Sequence, residues 1–201
     1  MVQTITQPET ISIELPNAIA LFVTGEQFDI LALANPDLRL ERTAEGELIV
    51  NPPTGGESGS RNLSISTQVG NWCEANEDLG EGFDSSTGFI LPNGARLSPH
   101  ASWVSRARWE ALTAKERKGF VPLCPDFVVE LREAKLSRRE SASDSLSTLQ
   151  EKMREYMENG ARLGWLIDPQ NRRVEIYRQQ AEVEISIQPS CLAKMYCRDL
   201  Y

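Results

Sequence analysis

Residues 125–132 read Pro-Asp-Phe-Val-Val-Glu-Leu-Arg and residues 163–168 read Leu-Gly-Trp-Leu-Ile-Asp, with an amphipathic run between them. The first segment is strand-like, because aromatic and β-branched residues follow a proline that marks its start. The second has the same apolar character and ends at the turn Asp168-Pro-Gln-Asn. Between them, Leu146, Leu149, Met153, Tyr156 and Met157 fall on one stripe of a helix predicted over Asp144 to Asn159, and Gly160 is a C-terminal stop. A strand–helix–strand step of this kind demands a parallel pair with a right-handed crossover. The fold expected is therefore α/β (α+β), a mixed central sheet with helices on both faces.

Upstream, Leu63, Val69, Trp72 and Cys73 have helical spacing between about Ser58 and Glu77, with Gly80 just beyond the expected end. GFDSSTGFIL and ARLSPHASWV then read as two extended segments separated by Pro92-Asn93-Gly94, and SRARWEALTAKERKG as a polar helical excursion on the surface. The order from residue 57 to 168 is thus αβββαβ. Before it, Thr24-Gly-Glu-Gln27 has the form of a capping box and opens a short helix that should stop near Asn35-Pro36. LRLER and ELIVN flank Ala44-Glu45-Gly46 as a hairpin, PPTGGESG reads as a flexible loop, and residues 1–20 as a loose lead-in. RRVEIYR and VEISI close the chain as a meander, so residues 1–201 form one expected domain.

Composition narrows the chemistry. With 21 basic and 29 acidic side chains the net charge is −8, which argues against broad attachment to nucleic acid while leaving room for a local basic cleft. A single histidine, His100, removes most zinc patterns and most Ser-His-Asp arrangements. Neither GxxxxGK[ST] nor GxGxxG occurs, so nucleotide-phosphate cradles lack support. The four cysteines lie far apart, and with no leader-like segment in MVQTITQPETISIELP they are expected to be reduced thiols of a cytoplasmic protein. No apolar run approaches the ~20 residues of a membrane helix.

Side chains alternate along residues 126–132, so Asp126, Val128, Glu130 and Arg132 share one face of the strand. Carboxylates on a core strand are costly to bury unless they are paired or bound to a metal, and a hard cation such as Mg²⁺ prefers such oxygen ligands. The letters Glu133-Ala134-Lys135 offer a competing placement, but their parity with Phe127, Val129 and Leu131 marks them as charges at a strand end. The basic residues Arg132, Lys135, Arg138 and Arg139 follow the strand and either grip phosphates or balance nearby acids in a solvated loop.

GELIVNPPTG, FDSSTGFILPNGARLSPHASWV, FVPLCPDFVVELR and LQEKMREYMENGARLGWLIDP together resemble the Uma2 family of restriction-endonuclease-like domains, within the PD-(D/E)XK nuclease superfamily. The resemblance covers about residues 39–178 and implies an endonuclease that hydrolyses DNA phosphodiesters with Mg²⁺ or Mn²⁺, with a homodimer as the expected assembly. It assigns Glu130 as the third-strand metal acid and Lys152, from the following helix, as the catalytic lysine, since Arg132 stands where the superfamily motif has Lys. It places His100 where the second strand of the family has Asp, and Glu57 as a further metal acid. Helix geometry puts Lys152 at the border of the apolar stripe, where it can reach Glu130 or extend to solvent. With His100 at the acid position, two outcomes stand open: a Mn²⁺ or weak Mg²⁺ site, or a catalytically lapsed binding or regulatory module.

Overall fold

The computed structural model of the chain describes residues 20–51, 53–132 and 145–187. Thr24 caps helix α1 (Gly25–Ala34) with a complete capping box, its side chain accepting from the Gln27 amide while Gln27 accepts from the Thr24 amide. The predicted hairpin follows as β1 (Arg39–Arg42) and β2 (Leu48–Asn51). Helix α2 (Gly56–Ala75) starts inside the segment expected to be a loop and ends two residues early. Gly55 is its N-cap, a role glycine fills at small cost, so the glycine cluster begins a helix instead of interrupting one.

The two extended segments are each broken, and the breaks create a second sheet that the sequence did not foretell. The first becomes β3 (Gly80–Asp84) and β4 (Phe89–Ile90), parted by a turn in which Asp84 accepts from the Ser86 amide. The second becomes β5 (Arg96–Leu97) and β6 (Ala101–Ser105), parted by Ser98-Pro99-His100. Gly80 opens β3 instead of closing a helix. Any side chain there would overlap the Val104 carbonyl and the Trp103 ring. The polar excursion forms α3 (Arg106–Glu110) and one 3-10 turn at Glu116–Lys118.

Next come β7 (Phe127–Leu131), α4 (Leu146–Glu158), β8 (Leu163–Asp168), β9 (Arg173–Arg178) and β10 (Glu184–Ile187), close to the sequence expectation. The large sheet runs β10-β9-β8-β7-β6-β3, and β7 and β8 are its parallel pair, joined through α4. The small sheet runs β2-β1-β5-β4.

Alternation along the strands sorts the core into two layers. Phe127, Val129, Trp103, Trp165 and Ile176 face Ile65, Val69 and Trp72 of α2. Val104, Val128 and Leu166 face Leu149, Met153 and Tyr156 of α4, together with Phe89, Leu91 and Leu97 of the small sheet. Because the chain also passes between the sheets at both breaks, the small sheet folds over the α4 face of the large one. That crossing sets the site described next.

Candidate active site

Glu130 lies on the α4 face of β7 and is fully buried. A carboxylate so placed needs partners, and three side chains supply them. Tyr156 and Lys152, four residues apart on α4 and therefore on one side of the helix, both reach Glu130 Oε1: the Tyr156 hydroxyl donates over 3.2 Å and the Lys152 ammonium over 2.8 Å. His100 Nδ1 stands 2.8 Å from Glu130 Oε2 and 3.3 Å from the Leu131 amide. One nitrogen cannot both donate and accept, and the shorter contact to a carboxylate assigns the proton to Nδ1. His100 is held there by its position in the break between β5 and β6, its amide donating to the Val129 carbonyl.

The fifth member comes from the hairpin. Glu41 of β1 is 4% exposed and accepts from Lys152 Nζ over 2.8 Å, from the Ser98 amide over 2.6 Å and from Asn51 Nδ2 over 3.3 Å. Lys152 thus bridges two buried carboxylates, one from each sheet. Burial pushes the Glu130 carboxyl up, but the Lys152 ammonium and the His100 hydrogen bond outweigh it and hold the group at about 2. Burial pulls Lys152 down, and Glu130 and Glu41 outweigh that too, so its proton is held more tightly than usual. The Tyr156 hydroxyl is pushed well up by burial and by Glu130, and remains a donor.

A third buried carboxylate braces α4 from the other side. Glu175 of β9 sits two strands from Glu130, across Leu166 in the register. It accepts from Gln150 Nε2 at 2.9 and 3.0 Å, from Arg173 and from the Tyr177 hydroxyl. Gln150 and Lys152 therefore fix the helix to both halves of the sheet.

The residues singled out from sequence separate clearly. Glu130, His100 and Lys152 converge. Glu57 does not join them: it is 79% exposed on its side chain and pairs with Arg61 in the first turn of α2. The second acid in contact with Lys152 is Glu41, which sequence reasoning missed. Asp126, on the face of Glu130, is used structurally, accepting from the Ser105 amide and pairing with Arg108. Arg132 pairs with buried Asp168 at 3.0 Å. Lys135, Arg138 and Arg139 lie outside the described residues, as does the Glu133–Lys135 alternative. The open groove of about 470 Å³ between α2 and β3 is lined by Glu74, Glu77, Glu81 and Asp84 against a single cation, Arg106, which pairs with Glu81, so its net charge is negative and unfavourable to phosphate.

Whether these donors suit a divalent cation follows from their chemistry. Glu41 and Glu130 are oxygen donors, and one ammonium already touches both, so a single positive centre fits between them. The Nδ1 of His100 is committed to Glu130, so the two do not chelate a common ion as they stand. Among the described residues no three His, Cys, Asp or Glu side chains gather as a metal cluster. The seat is one of two carboxylates with a lysine in it.

A mixed sheet clasped between helices, the fold class expected, carries a strand glutamate and a helix lysine paired on its face. A solved structure agrees: the crystal structure of a putative nuclease of DUF820 from Anabaena variabilis superposes with a TM-score of 0.64 and 20% identity, over 84% of this chain and 87% of that one. Residues 26–193 match the family Uma2, described as "Putative restriction endonuclease", and the chain belongs to that family. No curated protein matches it. Among the described residues no helix is long and apolar enough to cross a membrane.

Proposed function

We propose that the chain is a DNA phosphodiesterase of the restriction-endonuclease type, dependent on Mg²⁺ or Mn²⁺, with Glu130 as its central residue. The observation that carries this reading is the Lys152 ammonium, 2.8 Å from both Glu41 and Glu130. Glu41 and Glu130 would hold the divalent cation, which when bound supplies positive charge against the phosphate and acidity to a water. Beside the two acids Lys152 holds its proton more tightly than usual, and its ammonium would face a phosphate oxygen. His100, through Nδ1–H, and Tyr156, through its hydroxyl, fix the orientation of the Glu130 carboxylate.

A second reading, a lapsed nuclease that binds without cutting, is favoured by His100, a neutral imidazole at the position of the family's acid. Cleavage of duplex DNA with Mg²⁺ and Mn²⁺ by the wild type and by Glu130→Gln separates the two. The first reading expects cleavage that falls by about 10²-fold or more in the variant. Cleavage that persists in Glu130→Gln removes the site assignment, and a wild type inactive with every cation selects the second reading.

A further inference from the structure

Arg39 lies two residues from Glu41 on β1 and so shares its face, toward Lys152. Its terminal NH2 donates to the Ser98 carbonyl over 2.9 Å, on the segment that leads into His100. Arg96, Arg108, Arg132 and Arg173 each meet a carboxylate. Arg39 meets none among the described residues, and its Nε is buried with no hydrogen-bond acceptor. Buried donors are nearly always satisfied, so an orphan of this kind asks for an acceptor that arrives with a ligand. The residue as a whole is partly exposed, which leaves such a ligand a path.

The electrostatics point the same way. Arg39 stands close enough to Lys152 to weaken the hold on that lysine's proton, against the stronger opposite pull of Glu130 and Glu41. Arg39 thus adds a guanidinium without a carboxylate partner among the described residues beside a cluster in which Lys152 is already offset by Glu130 and Glu41. An acidic protein cannot gather polyanions broadly, so any phosphate contact must be made locally. The guanidinium fork matches two phosphate oxygens, whereas an ammonium meets one as a point charge.

We propose that Arg39 is the phosphate-binding residue of this site, holding the non-bridging oxygens of a nucleic-acid phosphodiester beside Lys152. The inference rests on the phosphodiesterase reading, and its test keeps the two apart. The Nε–H resonance of Arg39, identified by its absence in Arg39→Lys, is followed while dimethyl phosphate and then a short DNA duplex are added. Duplex affinity is measured in parallel by fluorescence anisotropy across a salt series, for the wild type and Arg39→Gln, with thermal melts confirming that the variants fold.

The expected result is a shift of the Nε–H signal with both ligands. Arg39→Gln should bind the duplex about tenfold more weakly, with a log–log salt slope lower by about 0.9. A signal unmoved by dimethyl phosphate at its highest usable concentration overturns the assignment. Duplex binding that leaves the signal unmoved also overturns it, with the phosphodiesterase reading intact. A shift with dimethyl phosphate but no duplex binding upholds Arg39 as a phosphodiester seat and rejects DNA as the substrate.

Discussion

Replacing Lys152 with methionine leaves Glu41 and Glu130 buried without the ammonium between them, and the cost follows from their burial. Removing one partner of a buried ion pair typically costs 3–5 kcal/mol, because the remaining charge is stranded. The direction agrees with Glu130, whose carboxyl the Lys152 ammonium and His100 together hold at about 2 against the opposing push of burial. For a chain of this size each kcal/mol lowers Tm by about 2–4 °C, so the melt should fall on the order of 10 °C at neutral pH. The pH dependence has a definite sign. A carboxyl whose folded value lies below its unfolded one stabilises the fold above pH 4.5 and loses that contribution as pH falls toward 2. In Lys152→Met burial is no longer opposed by the ammonium, so Glu130 takes up a proton more readily. The deficit relative to wild type is therefore largest at neutral pH and shrinks on acidification. Urea unfolding followed by tryptophan fluorescence at neutral pH and near pH 4.5 measures both quantities. A loss below about 1 kcal/mol at neutral pH, or a deficit that grows on acidification, would refute the ion-cluster reasoning.

Other outcomes follow from the same contacts. His100→Asp places a third carboxylate beside Glu130, and calorimetry with Mn²⁺ should show affinity rising by about tenfold or more, while the metal-free protein loses stability to like-charge repulsion. An unchanged affinity would take His100 out of any cation site. Thr24→Ala removes one half of the capping box on α1 and should cost about 1 kcal/mol in urea unfolding. In Gly80→Ala the new methyl meets backbone as well as the Trp103 ring, neither of which yields easily, and a destabilisation of about 1–3 kcal/mol or more is expected.

The layout of the large sheet was readable because its signals are local: the alternation of residues 126–132, the stripe on α4 and the stop at Gly160, which adopts φ 107°. Lys152 was singled out by the family resemblance, since helical spacing alone puts it at the border of the buried stripe, free to reach inward or to extend to solvent. Glu41 was not. In LRLER it looks like one more charge on a polar hairpin, and its burial depends on Lys152, 111 residues later. The missing information was the passage of the chain between sheets at Asp84–Thr87 and Ser98–His100, which lays the hairpin over Glu130. Neither break has a strong signal, for an Asx turn and a Ser-Pro pair occur in many loops. Glu57 does not join the site for the complementary reason: α2 begins inside a glycine-rich stretch that reads as a loop, and nothing in the sequence states that its first turn leaves Glu57 in solvent.

The most direct test is a crystal of the wild-type chain grown with Mn²⁺ and measured for anomalous scattering. The site described predicts one peak between the carboxylates of Glu41 and Glu130, with the Lys152 ammonium displaced from between them. Lys152 still bridging both acids with no peak beside them, or a peak held by Glu57, would contradict it.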